Sequence, residues 1–95
     1  MSGQRMDFTW DENKRLKTLD DRGLDFKFAR RFFDLQPLLH QPTPRNDEDR
    51  WKTTAISEGK FYTIVWIQRE ETRHIISMRR AHGQEIRKYR ALFGG

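Results

Sequence analysis

The chain has 95 residues, no cysteine, a formal net charge of +5, and charged and hydrophobic residues at 35% each. That length sets a single domain with a modest core, and the missing cysteine excludes a disulfide framework and any thiolate metal site. Aromatics at 13% argue against disorder. No apolar run is long enough to span a membrane and the N-terminus lacks the apolar stretch of a secretory signal, so a soluble, cytoplasmic protein with no membrane partner is expected.

In chain order, Met1–Arg5 reads as an unstructured leader, and a single domain is expected over 6–93. Asp7–Trp10 alternates polar and apolar residues like a short strand. Asp11 can cap a helix over Glu12–Arg22 that carries Leu16 and Leu19 on one side, and Gly23 is placed to end it. Asp25 can cap a second helix from Phe26 to Asp34, whose four Phe signal core packing. Pro37 stops that helix, Leu38–His40 opens a strand, and Gln41–Asp49 reads as a loop.

From Arg50 the pattern is β. Arg50–Ile56 and Phe61–Gln68 are strands joined by the turn Ser57-Glu-Gly-Lys60, with Gly59 set for positive φ. Phe61–Gln68 is apolar on both faces, which predicts a central strand covered on both sides. Arg73–Met78 forms the next strand. Strict alternation sends Arg73, Ile75, Ser77 and Arg79 to one face, and His74, Ile76, Met78 and Arg80 to the other. A closing helix carries Ile86, Tyr89 and Phe93 at helical spacing. The fold class is α+β: a small antiparallel sheet, made of a three-stranded meander plus short N-terminal strands, with two N-terminal helices and one C-terminal helix segregated to one face.

Charge is unevenly placed. Residues 1–49 hold nine Lys/Arg against ten Asp/Glu, whereas residues 50–95 hold ten against four. The second half is therefore the polyanion-facing half. It contains no phosphate-binding glycine loop and no metal-binding His-Glu motif, and its histidines are scattered, so neither a metal nor another cofactor is expected. What remains is a basic and aromatic set: Arg50, Lys52, Tyr62, Trp66, Arg73, Arg79, Arg80, His82 and Tyr89. Such residues suit RNA, because guanidinium groups grip phosphates bidentately and aromatic planes stack on splayed bases. They also permit attack of a ribose 2′-OH on its own phosphate, which needs a base, an acid and cations for the developing charge. His82, Glu48, Glu85, Tyr89 and Lys52 are candidates for the proton transfers.

Several stretches resemble the BrnT family of type II toxins, within the wider RelE-like group of ribonuclease toxins. They are Phe8-Thr-Trp-Asp11, Lys14, Gly23, Phe33-Asp34, Glu48-Asp-Arg50, Arg73-His-Ile-Ile-Ser-Met-Arg79-Arg-Ala81, Glu85 and Tyr89. The resemblance implies a compact RelE-like sheet and a metal-independent endoribonuclease. It also implies a BrnA-like cognate antitoxin with a ribbon-helix-helix domain, through which alone operator DNA is bound. By position, Arg50 and Arg79 match recurrent basic sites, Arg80 a usually basic one, and Glu85 and Tyr89 the C-terminal helix pattern. His74 departs from the Arg, and Met78 from the Ala, often found in the family.

Two readings follow. In the first, Arg50 and Arg79 hold the scissile phosphate, Lys52 and Arg80 support charge, and Tyr89 or His82 stacks or moves a proton. Arg73, Trp66 and Tyr62 contact RNA, with Glu48 and Glu85 in support. In the second, a non-catalytic basic module binds an acidic protein partner or nucleic acid.

Overall fold

The computed structural model describes residues 7–43 and 48–94. The expected leader over Met1–Arg5 and part of the expected 41–49 loop lie outside the described residues. The chain runs β1 (Asp7–Trp10), α1 (Glu12–Arg22), a 3-10 turn (Phe26–Phe28) leading into α2 (Ala29–Phe33), β2 (Leu39–Pro42), β3 (Arg50–Ser57), β4 (Lys60–Arg69), β5 (Thr72–Arg80) and α3 (Gly83–Phe93). The strands form one sheet in the order β1-β5-β4-β3-β2, which puts β4 at its centre.

The α+β class stands, but the expected antiparallel sheet needs correction. β1 joins β5 in parallel, Asp7 opposite Thr72 and Trp10 opposite Ile75, so the five-stranded sheet is mixed. The second helix is also shorter than expected, a 3-10 turn and five α-helical residues.

Nor do the helices share one face. Phe26, Ala29, Phe32 and Phe33 pack with Ala55, Ile64, Trp66, Ile75 and Met78 on one side of the sheet. Tyr89 of α3 packs with Leu39 and Phe61 on the other. Neighbouring residues such as Ala55 and Ile56 point to opposite faces, and each belongs to a different cluster. Apolar residues on both faces of β4 require this double cover. Phe28 does not join the core, and neither do Leu16 and Leu19 of α1, which are 49% and 39% exposed. Polar anchors hold α1 instead. Arg15, 9% exposed, donates to Glu12 and Asp25, and Arg22 donates to the Met78 carbonyl at 3.0 Å.

A bulge in β5 overturns the expected alternation. Ser77 lies opposite Val65 and Ile75 opposite Trp66, which leaves Ile76 without a partner of its own. One extra residue inverts the facing of everything beyond it. Ile75 and Met78 consequently enter the same core cluster. Arg73 and Arg80 lie on that face, over Phe33 and Tyr62 respectively, while Arg79 turns toward α3.

Candidate functional site

Glu85 sits at the third position of α3, 2% exposed, with its carboxylate at the centre of a polar cluster. Arg79 donates to it through two bonds of 2.9 Å, Lys52 Nζ lies at 3.1 Å, and the Thr63 hydroxyl and the His82 amide donate at 3.0 and 2.8 Å. Thr54, fully buried, shares a hydrogen bond with Thr63 and extends the network into β3. Burial alone pushes the Glu85 carboxyl up. The Arg79 guanidinium, the His82 amide, Lys52 and Thr63 outweigh it and hold the group well below the usual carboxylate range. Two cations against one carboxylate leave the cluster with a net positive charge. Its sequence origin is simple: the N-cap His82 stands three residues before Glu85, a common place for a Glu to accept the N-cap amide.

Beside this cluster, where β4 begins and β5 ends, lies a cleft of about 580 Å³. Arg22, Lys60, Arg79, Arg80, Tyr62 and His82 line it together with Gly23 and Leu24. No Asp or Glu lies among these lining residues. Three elements bring the cations together: the end of α1, the β3–β4 turn and the β5–α3 corner. Arg80 is braced by a bond from Nε to the Phe61 carbonyl at 3.2 Å and lies 5.3 Å from the Tyr62 ring centre.

Of the sequence-derived candidates, the structure gathers Tyr62, Arg79, Arg80 and His82 in the cleft, with Lys52 and Glu85 behind Arg79. It does not bring Arg50 to Arg79. Arg50 pairs with Ile67 and Arg79 with Thr63. Four residues of β4 therefore separate them, about 13 Å along the strand. Arg50 is held instead by Glu48, Nη2 to Oε1 at 2.7 Å.

Trp66 is buried, stacks on Trp51 and donates to the Thr53 hydroxyl at 2.8 Å. Arg73 lies across Phe33 and Trp66, 4.1 and 4.8 Å from their ring centres, and its Nε is buried without a hydrogen-bond partner. Tyr89 packs edge-on to Phe61 and donates its hydroxyl to the Pro37 carbonyl at 3.0 Å, and burial pushes that hydroxyl's pKa up. Arg22 and Lys60 were missed from sequence. Both stand beside a glycine-marked turn, Gly23 or Gly59, but nothing in the sequence reports that the two turns converge.

No group of three His, Asp or Glu side chains suited to a metal ion occurs among the described residues. No described helix is long and apolar enough to cross a membrane.

A cation-lined cleft with tyrosine and histidine walls is set at the end of the α+β sheet, and its lining carries positive charge. The chain belongs to the BrnT family: the model described as "Ribonuclease toxin, BrnT, of type II toxin-antitoxin system" matches residues 10–85. It is thus a ribonuclease toxin of a type II toxin–antitoxin system, a class that implies a cognate antitoxin. No match was found among curated proteins.

Proposed function

We propose that RNA lies in the cleft between Arg22, Lys60, Arg80 and His82 and is cut there by its own 2′-OH, without a metal ion. The observation that carries this reading is the convergence of four cations, from three separate elements, on a lining free of carboxylates. Arg80 and Lys60 grip the scissile phosphate, and Arg79 faces the charge that builds on its oxygens. Fixed cations aimed at developing charge are usually the largest single catalytic term. Glu85 and Lys52 do not meet RNA in this reading. Glu85 holds the Arg79 guanidinium in one orientation, and Lys52 keeps the cluster cationic.

His82 is the imidazole that lines the cleft, and an imidazole nitrogen can accept or donate a proton. In the proposed step the 2′-oxygen loses its proton, attacks the adjacent phosphorus and expels the 5′-oxygen, which takes up a proton. The products are a 2′,3′-cyclic phosphate and a 5′-hydroxyl. His82 serves one of the two transfers. Tyr89, tied to Pro37, is left to packing.

The antitoxin is proposed to carry a ribbon-helix-helix DNA-binding domain, with acidic surface complementary to the second half of this chain. Cleavage of an end-labelled RNA by purified toxin, with and without EDTA, tests the catalytic reading. Wild type should cut in EDTA, and His82→Ala and Arg79→Ala should each lose about a hundredfold in rate. Complete loss in EDTA would make the cleavage metal-dependent, whereas equal cutting by all three proteins, with whatever activity remains abolished by EDTA, would leave the cleft a non-catalytic RNA- or protein-binding surface.

A further inference from the structure

A second groove, of about 500 Å³, continues from the basic cleft. Gly23, Leu24 and Tyr62 belong to both, so the two are neighbours across one wall. Their chemistry differs sharply. Phe28, Phe32 and Met78 add apolar surface to the second groove, and Asp25, Arg31, Ser57 and Glu58 line it as well. Phe28 is 55% exposed, an unusual state for the central aromatic of a Phe-rich segment, and Arg31 lies 5.7 Å from its ring centre.

We infer that this groove is a nucleobase subsite that takes a guanine splayed from the strand whose phosphate occupies the basic cleft. The inference rests on the RNA-binding reading above. Three observations carry it. First, a single-stranded nucleotide puts an apolar plane one sugar away from a charged phosphate, and here an aromatic-walled groove adjoins a cationic one. Single-stranded RNA is read by stacking splayed bases on aromatic side chains. Second, the groove's volume falls within the roughly 300–1,000 Å³ typical of small-molecule sites. Third, its lining offers the carboxylates of Asp25 and Glu58, the hydroxyls of Ser57 and Tyr62, and the Arg31 guanidinium.

Ionised carboxylates only accept hydrogen bonds. Guanine presents two adjacent donors, N1–H and the N2 amino group, to such a group. Adenine and cytosine each place a lone pair beside their single amino group, and uracil sets its one N–H between two carbonyls. Asp25 is already engaged by Arg15 and the Lys27 amide. Glu58 has no hydrogen-bond or ion-pair partner among the described residues, and its backbone is fixed at φ 52° in the β3–β4 turn. Glu58 is therefore the specificity-determining residue and Phe28 the stacking one.

The test is a binding measurement, independent of cleavage. A fluorescent six-nucleotide RNA is made with 2′-O-methyl sugars at every position so that it cannot be cut, and it carries one central guanine, or inosine in its place. Inosine lacks only the N2 amino group. Wild type should bind the guanine strand about tenfold more tightly than the inosine strand. Glu58→Gln should lose most of that ratio while keeping its affinity for the inosine strand. Phe28→Ala should weaken both strands about tenfold through lost stacking.

A wild-type ratio near one, or the same ratio in Glu58→Gln, overturns the subsite and leaves RNA binding intact. If Arg80→Ala fails to weaken either strand, the RNA-binding reading itself has failed. Should Phe28→Ala spare both strands but reduce co-purification of the antitoxin, the groove belongs to that protein and the nucleobase assignment is wrong.

Discussion

Arg79 and Glu85 meet through two parallel hydrogen bonds of 2.9 Å across the corner where β5 gives way to α3. The pair does two jobs at once. It satisfies a carboxylate that is almost wholly buried, and it fixes one wall of the cationic cleft. Removing the carboxylate strands two cations in a partly dry environment. Glu85→Ala should therefore cost about 3 kcal/mol, the lower end for breaking a buried ion pair because Arg79 and Lys52 keep some contact with water. In a domain of this size that lowers Tm by about 12–24 °C. Differential scanning calorimetry checks it, and a fall of only a degree or two would show that the cluster contributes little to folding.

Acid should act on the same cluster, after two histidines have already responded. His40 and His74 have pKa values lowered chiefly by burial, helped by Arg73 in the first case and by Arg69 and Lys14 in the second, against Asp11. A lowered histidine gives stability that is complete above the unfolded value, about 6.5, and is lost as pH falls through the folded one. Glu85 obeys the same sign at lower pH. Its contribution is complete above the unfolded carboxylate value, about 4.3, and declines below it as the unfolded chain takes up a proton that the folded chain refuses. Urea midpoints measured from pH 8 to pH 3 should fall gently below pH 6.5 and steeply below pH 4.3. Glu85→Gln should make the acid limb shallower and keep the gentle one; the remainder belongs to Glu12 and Asp25, lowered chiefly by Arg15 and by the Lys27 amide respectively. A midpoint that rises on acidification contradicts the sign for all three groups.

Local pattern made much of the fold legible. Asp11 caps α1 by accepting from the Lys14 amide, Gly23 ends it at φ 70°, and Gly59 takes the positive φ its turn requires. The doubly apolar run from Phe61 became the central strand with cover on both faces. What escaped was tertiary. Parallel pairing of Thr9 with His74 spans 65 residues and leaves no periodicity to detect. The bulge at Ile76 inverts the facing of Arg79 and Arg80 without any glycine to mark it. The same limit applied to the site: the run Arg79-Arg80-Ala-His82 named one wall, while Arg22 and Lys60 arrive from elements brought in by folding alone.

The roughly 13 Å that separates Arg50 from Arg79 along the sheet makes their mutants distinguishable. Arg80→Ala should reduce single-turnover RNA cleavage by about a hundredfold, the scale for losing one oriented cation at a reacting phosphate. Arg50 is neutralised by Glu48 at 2.7 Å and does not line the cleft, so Arg50→Ala should stay within about threefold of wild type. If Arg50→Ala is as damaging as Arg80→Ala, the phosphate lies on the open sheet face and not at its end.

Lys60 offers a test that separates phosphate contact from structural support. It is exposed, starts β4, and lines the cleft with no ion-pair partner among the described residues. A lysine that neutralises one RNA phosphate releases condensed counterions, and each such contact contributes about −0.7 to the slope of log K against log salt for a single strand. Lys60→Ala should therefore weaken binding of a non-cleavable RNA at low salt and flatten that slope by about 0.7, with Tm unchanged. An exposed charge that merely tuned solubility would leave the slope as it was. A lysine that braced the β3–β4 turn would move Tm instead, so the two readouts together assign its role.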